Sequence, residues 1–210
     1  AAATVVRSGG RALVLEGDVR DEATCVRCAQ ACDATFSGLD GLVNAAGVIG
    51  NGAIDATVPA EWDRVMDSNV RSLYLMTRAA AEALKKKKGS VVNLSSVASN
   101  RPYGGLAAYC VSKAAVDMIT RCAALDFAPY GVRVNAVNPG VVVTELHTVA
   151  NAVADYPAFL ERGKGTHPLG RVGQPEEVAA LILYLLSKDA GWITGACVPI
   201  DGGRALASSR

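Results

Sequence analysis

Short runs rich in β-branched residues alternate along this chain with longer amphipathic stretches, and that alternation is the tightest constraint on its fold. Arg11–Glu16 (RALVLE), Gly41–Asn44 (GLVN), Ser90–Leu94 (SVVNL), Val132–Val137 (VRVNAV) and Ala196–Ile200 (ACVPI) read as strands. Between them, Asp21–Phe36, Pro59–Lys88, Gly105–Pro129 and Pro175–Leu186 read as helices, the second of these interrupted near Asp67–Asn69. Strands that are apolar throughout, rather than on alternate residues, are buried on both faces. Successive strands joined by helices of ten or more residues run parallel. The reading is therefore a single α/β domain spanning residues 1–210, with helices on both sides of a doubly wound parallel sheet. No internal repeat or low-complexity linker divides it.

Charge and composition remove several functions. Lys and Arg number 21 against 20 Asp and Glu, a net charge of +1, which offers no basic face for nucleic acid or an anionic membrane surface. No apolar run approaches the ~18 residues of a membrane-spanning helix. Ala1–Thr4 shows no basic region leading into an apolar stretch. The six cysteines, at 25, 28, 32, 110, 122 and 197, are too sparse for a disulfide scaffold and read as reduced thiols of a cytoplasmic protein, barring an organelle-targeting segment upstream of Ala1. Val141–Pro168 is longer than the ~2–6 residues usual between such elements, and holds a predicted helix over Leu146–Arg162. An insertion there shapes a substrate site more readily than it serves the framework.

Small and polar residues cluster where the strands end. Glu16–Val19 follows the first, Asn44–Gly47 the second, Ser95-Ser96 the third and Asn138-Pro139-Gly140 the fourth. In an open parallel sheet these carboxyl ends share one rim, and ligands bind in the crevice outside it. The chemistry is suggested by Tyr109-Cys110-Val111-Ser112-Lys113. On a helix, residues four apart share a face, so Tyr109 and Lys113 project together. A phenol with reference pKa near 10 is a poor base at neutral pH, but a neighbouring cation favours its phenolate. The pair could then exchange a proton with a hydroxyl or carbonyl oxygen, and Ser96 could hydrogen-bond the same oxygen. An isolated YxxxK is more often a surface pair, so the motif needs its context.

That context resembles the classical short-chain dehydrogenase/reductase family from about Gly10 to Gly203. The matching parts are Asp18-Val19, the NAAG of Asn44–Gly47, Asn69 in DSNV, NLSS ending at Ser96, Tyr109 and Lys113, the PGxxxT of Pro139–Thr144, and IDGG at Ile200–Gly203. Each is weak alone; in this order and spacing the set is specific. The resemblance implies a Rossmann-like fold and an NAD(P)-dependent oxidoreductase that interconverts an alcohol and a ketone or aldehyde, a small-molecule substrate. It further implies Tyr109 as general acid/base. Lys113 would lower its pKa and hold the nicotinamide ribose, Ser96 would orient the substrate oxygen, and Asn69 would keep a water in a proton relay. Asp18 and Val19 would contact the adenine, and Asn44, Ala45, Ala46 and Gly47 would pass the adenosine ribose. Pro139, Val142 and Thr144 would hold the nicotinamide carboxamide and phosphate side. A homo-oligomer, tetramer or dimer, is implied, pairing through Pro59–Lys88 and Gly105–Pro129.

The sequence departs from the family at its start. No TGxxxGxG turn occurs, and Arg11–Glu16 already corresponds to the family's third strand, so the first two strands are absent. The absent first strand would lie centrally, beside Gly41–Asn44, and the absent turn would supply the donors that hold a pyrophosphate. An omission or truncation upstream of Ala1 is the favoured explanation; re-pairing of Arg11–Glu16 against Gly41–Asn44 is another. A catalytically silent subunit or scaffold is the rival function. The residues that choose between NAD and NADP are not in this sequence.

Other candidates read as structure. Cys25, Cys28 and Cys32 share one helical face, which core packing also requires, and no histidine lies near them to complete a zinc site, so no metal is expected. Lys85–Lys88 ends a helix, where cations complement the dipole. His147 and His167 flank or lie in the insertion, where either could touch substrate, but both read by default as exposed loop residues; Trp62 and Trp192 read as packing or subunit contacts.

Overall fold

The computed structural model describes residues 2–148 and 153–207. Four strands form one wholly parallel sheet: β1 (Gly41–Asn44), β2 (Ser90–Leu94), β3 (Arg133–Pro139) and β4 (Cys197–Ile200), in the spatial order β1-β2-β3-β4. After a short α1 (Ala2–Arg7), α2 (Glu22–Phe36) precedes β1, α3 (Pro59–Met66) and α4 (Ser72–Lys87) cross from β1 to β2, and α5 (Ala107–Phe127) crosses from β2 to β3. The last crossover carries α6 (Tyr156–Thr166) and α7 (Pro175–Leu186). The result is a Rossmann-like α/β domain with a four-stranded sheet.

Strand residues alternate between two helical layers, and the two sides have separate cores. Val91 and Val134 face Ala80 and Leu84 of α4 and Ala124 of α5; Val92 and Val137 face Val178 and Leu185 of α7. Leu84 and Leu185 are almost wholly buried, each a contribution of ~1.5–3 kcal/mol over an exposed side chain. Asparagines add a polar lock on the α4/α5 side. Asn44 and Asn93 sit opposite each other in register, and Asn44 Nδ2 donates to Asn93 Oδ1 at 2.9 Å and to Thr77 Oγ1 at 3.1 Å. Asn93 Nδ2 in turn donates to Thr120 Oγ1 at 2.9 Å. Slipping the register would strand these amides in the apolar layer, at the cost of unpaired buried polar groups.

Local sequence accounts for the helix ends. Asp21 caps α2 by accepting from the amides of Ala23 and Thr24. The interruption expected near Asp67–Asn69 is a π-helical turn, Asp67–Arg71, joining α3 to α4. The extra residue in that turn rotates Asn69 inward, where it is 1% exposed.

Two expectations are corrected. Arg11–Glu16 is not a strand and has not re-paired with β1. It lies irregularly along α2, held by Arg11 over the Phe36 ring and by Arg27 donating to the Glu16 carbonyl at 2.7 Å. Leu13, Val14 and Leu15 are exposed there. A strand exists only where a ladder neighbour satisfies its backbone, and the described residues supply none. The helix expected over Leu146–Arg162 is displaced: Glu145–His147 is one 3₁₀ turn, and α6 begins at Tyr156, capped by Asp155, and runs through Gly163 and Gly165 to Thr166. Residues 149–152, inside the expected helix, lie outside the described residues.

Candidate active site

The carboxyl ends of β1, β2 and β3 converge on a cavity of about 510 Å³. Gly47, Val48 and Ile49 line it from the β1 loop, Leu94 and Ser96 from β2, Tyr109 and Lys113 from α5, and Pro139, Val142 and Thr144 from the segment after β3. Three of the four polar clusters expected at the rim are thus brought together. The fourth is not: Asp18 is clamped by the Arg20 guanidinium in an exposed ion pair, and neither Asp18 nor Val19 reaches the cavity. The reason is the lost strand, since Arg11–Glu16 no longer delivers its end to the rim. Asn44 is also diverted, its amide spent on Asn93 and Thr77 rather than on the cavity. Ala45 and Gly47 line the cavity, whereas Ala46, between them, does not.

Tyr109 lies in the first turn of α5 and Lys113 one turn on, both buried. The Ser96 hydroxyl faces the Tyr109 phenol and favours its phenolate. Ser96 is oriented by its own backbone role, capping the turn at Val97–Ser99 and accepting from the Ala98 amide at 3.1 Å. Lys113 Nζ donates to the Leu94 carbonyl at 2.8 Å and stands 5.7 Å from the centre of the Tyr109 ring. The carboxyl end of β2 thus supplies both the serine and the carbonyl that anchors the ammonium.

Electrostatics differ from the expected pattern in one respect. Burial pushes the Tyr109 phenol above its ordinary value, opposed by the Ser96 hydroxyl, and the expected lowering by Lys113 is not what dominates. Burial also lowers Lys113, to about 8, opposed by the Asp117 carboxylate. Desolvation disfavours both charged forms at once. The phenol therefore carries its proton at neutral pH, and the ammonium is held close to its titration point.

Asn69 braces this arrangement. Its Oδ1 accepts from the Val48 amide at 2.7 Å, and its Nδ2 donates to the Val48 carbonyl and to Ser112 Oγ, both at 2.9 Å. Ser112 Oγ donates to the Tyr109 carbonyl at 2.7 Å. One side chain therefore staples the loop after β1 to the turn of α5 that carries Tyr109 and Lys113. With both its N–H groups spent on protein acceptors, the Asn69 amide positions neighbours. Ser112 and the Leu94 carbonyl were not anticipated from sequence. A serine one residue before the lysine reads as ordinary helix surface, and a backbone carbonyl carries no sequence signal.

The two histidines part company. His147 lines the cavity, whereas His167 is not the exposed loop residue anticipated: it is 3% exposed, beneath the segment after β3. Cys25 is buried, with Cys28 and Cys32 half-buried on the same helix, as packing requires. Trp192 is fully exposed.

Known proteins carry the same frame. A family profile described as "Enoyl-(Acyl carrier protein) reductase" matches residues 1–205. The cyclopentanol dehydrogenase of Comamonas testosteroni is 38% identical over 204 residues, 97% of this chain and 80% of that protein. The chain belongs to the short-chain dehydrogenase/reductase family. The trans-4-hydroxycyclohexanecarboxylate dehydrogenase of Sinomonas cyclohexanicum is 35% identical over 198 residues, 94% of this chain and 73% of that protein. The solved structure of a mutant short-chain dehydrogenase/reductase from Serratia marcescens superposes with a TM-score of 0.88 at 34% identity, covering 97% of this chain and 81% of that one. Relatives in this family are dehydrogenases of alcohols, and the chain is an oxidoreductase by that membership.

Dehydrogenases of this family use NAD(P), and the cavity can be tested against that group. Of the residues expected to hold the nicotinamide side, Lys113, Pro139, Val142 and Thr144 share one cavity wall, so they fit such a group. A Cβ on Gly47 would lie 3.2 Å from Asn69 Oδ1 and 3.7 Å from Lys113 Nζ, so the loop after β1 packs closely against both. Asp18, expected to contact the adenine, is instead paired with Arg20 on the surface. Among the described residues no helix is long and apolar enough to cross a membrane.

Proposed function

We propose that this protein interconverts a small secondary alcohol and the corresponding ketone with NAD or NADP, Tyr109 exchanging the hydroxyl proton. The observation that carries the reading is the buried phenol of Tyr109, facing Ser96 and one helical turn from the Lys113 ammonium, in the wall of a cavity at the sheet rim. When bound, the cofactor supplies the hydride chemistry; the protein supplies orientation and a proton. Lys113, Pro139, Val142 and Thr144 would hold its nicotinamide end. Ser96 would hydrogen-bond the substrate oxygen and place it against the phenol. Tyr109, protonated at neutral pH, gives its proton to the oxygen as an alkoxide develops during carbonyl reduction. In the direction of alcohol oxidation it must first lose that proton, which the Lys113 ammonium favours and burial opposes.

Much of the cavity wall is apolar: Ile49, Leu146, Val178, Ala179 and Ile182 line it, with Arg64, Glu145 and His147 among its other polar groups. That lining suits a compact hydrocarbon ring or short branched chain, and the names of the cyclopentanol and hydroxycyclohexanecarboxylate dehydrogenases point the same way. The insertion from 141 to 168 shapes that wall through Leu146 and His147. Subunit pairing is also proposed. Val111, Met118 and Leu125 recur every seventh residue along α5 as an exposed apolar stripe, and Tyr74 of α4 is exposed as well.

The second reading, a catalytically silent subunit, is favoured by the pairing of Asp18 with Arg20 on the surface. Titration with NADH and NADPH, followed by nicotinamide fluorescence, separates the two, together with turnover of cyclopentanol and cyclohexanol. Saturable binding with turnover is expected; no saturation with either cofactor would favour the silent subunit.

A further inference from the structure

We propose that His167 is a positioning residue: its ring, protonated on Nδ1 alone, ties the end of α6 to the backbone of Val141 and so fixes the segment that carries Val142 and Thr144. The hydrogen bonds allow only one protonation state. Nε2 lies 3.1 Å from the Val141 amide, which can only donate, so Nε2 must accept and bears no proton. Nδ1 lies 2.6 Å from the Gly163 carbonyl, which can only accept, so Nδ1 donates. Thr166 Oγ1 spends its own proton on the same carbonyl at 2.9 Å and faces Nδ1 at 3.2 Å as a second acceptor. Each ring nitrogen is satisfied, and neither tautomer exchange nor a second proton is compatible with the set.

The segment has ties on either side of residue 141. The Gly140 amide donates to the Ile200 carbonyl at 3.2 Å, the Val141 carbonyl accepts from the Gly173 amide at 2.9 Å, and the Val143 amide donates to the Gly173 carbonyl at 3.1 Å. At its far end the Tyr156 hydroxyl of α6 accepts from the Thr144 amide at 3.1 Å and donates to the Thr144 carbonyl at 3.0 Å. His167 supplies the tie at the Val141 amide. The backbone comes close enough only because residue 140 is glycine. A Cβ there would sit 2.7 Å from His167 Nε2 and 3.0 Å from the Asp201 Cα. PGxxxT thus needs its glycine here to seat a buried histidine supplied from the far end of the insertion.

The charged groups facing the ring are Asp201, at the end of β4, and Arg204; α6 and the end of β3 present only Thr166, the Gly163 carbonyl and the Val141 amide. Asp201 is itself held by the amides of Gly203 and Ala205. Burial lowers the ring's proton affinity, Arg204 adds to that, and the Gly163 carbonyl and Asp201 oppose it. The neutral ring therefore persists to lower pH than an exposed histidine. Below that point Nε2–H opposes Val141 N–H, and the tie opens.

The tie stands on geometry alone; its effect on cofactor binding rests on the oxidoreductase reading. The test uses the cofactor-free protein first. Amide exchange at Val141 is measured by NMR for wild type, His167→Gln and His167→Leu, with ¹⁵N shifts of His167 reporting its protonation. His167→Leu is expected to lower Val141 protection about tenfold, the loss of one buried hydrogen bond. His167→Gln, whose Oε1 reaches as far as Nε2, should keep most of it, and wild type should lose protection as the ring takes its second proton. Unchanged protection in a folded His167→Leu, or a ring protonated on Nε2 at neutral pH, overturns the tie; the second readout decides the matter even where the leucine variant does not fold. The cofactor KM should then rise about tenfold in His167→Leu with kcat little changed, and recover in His167→Gln. Faster exchange with an unaltered KM overturns the positioning role. Absence of any cofactor binding by wild type would count against the oxidoreductase reading instead, leaving the exchange data to judge the tie.

Discussion

Replacing Lys113 by Met should leave the protein at least as stable at neutral pH while removing its chemistry. The ammonium is buried, 6% exposed, and its pKa falls from the ordinary 10.5 to about 8 because burial penalises the charge. At about 1.36 kcal/mol per pH unit, that gap corresponds to about 3 kcal/mol of stability withheld from the folded state wherever the lysine is charged. Methionine fills much the same volume but leaves the Leu94 carbonyl without its 2.8 Å donor, at a cost of about 1–3 kcal/mol. The net change at pH 7 is therefore about 0–2 kcal/mol in favour of the variant. The pH dependence is sharper. The folded state releases the lysine proton near pH 8 and the unfolded chain only near 10.5, so between those values wild type gains stability with rising pH and the variant does not. Urea unfolding of both proteins at about pH 7 and pH 9.5 should show the variant's stability relative to wild type falling by about 2 kcal/mol. A difference that stays constant across that range, or moves the other way with pH, would refute the argument that burial and not a partner sets the state of Lys113.

Three further perturbations follow from the geometry. Asn69→Ala removes one buried and two partly buried hydrogen bonds and leaves both polar groups of Val48 without their partner; urea unfolding should show a loss of about 1–3 kcal/mol. Met118→Glu with Leu125→Glu places charge in the apolar stripe of α5, and light scattering should report monomers where wild type is oligomeric; unchanged mass would exclude that face from the interface. Gly140→Ala should act like His167→Leu on Val141 protection, because its Cβ displaces the histidine.

How much of this was legible from sequence depended on whether the signal was local. GLVN and SVVNL marked their strands to the residue, because each is a short apolar run that ends at a polar cluster; β2 is buried almost throughout, whereas Val43 of β1 stays exposed. The Tyr109–Lys113 relation needed only helical periodicity. RALVLE has the same local composition as those strands, yet it is irregular, since strand formation is decided by a neighbour and composition cannot report one. Gly163 and Gly165 misled in the opposite sense, resembling a helix boundary when α6 runs through them; packing of Gly163 against Val172, 2.6 Å from where a Cβ would sit, explains a glycine inside the helix. The roles of Asn69 and His167 were beyond reach for one reason. Each acts through backbone groups far away in sequence, and hydrogen bonds to backbone leave no mark on the partner's identity. The depressing effect expected of Lys113 on Tyr109 failed because burial, which opposes both charges, is invisible in a short motif.

The most direct measurement pairs turnover with binding in Tyr109→Phe. Removing one hydroxyl from an otherwise intact cavity should lower kcat for alcohol oxidation by about 10²–10⁴-fold, while the dissociation constant for NADH or NADPH, read by fluorescence, stays within about threefold of wild type. A phenylalanine variant that turns over at the wild-type rate would show that the proton leaves by another group, and the assignment of the site would fall with it.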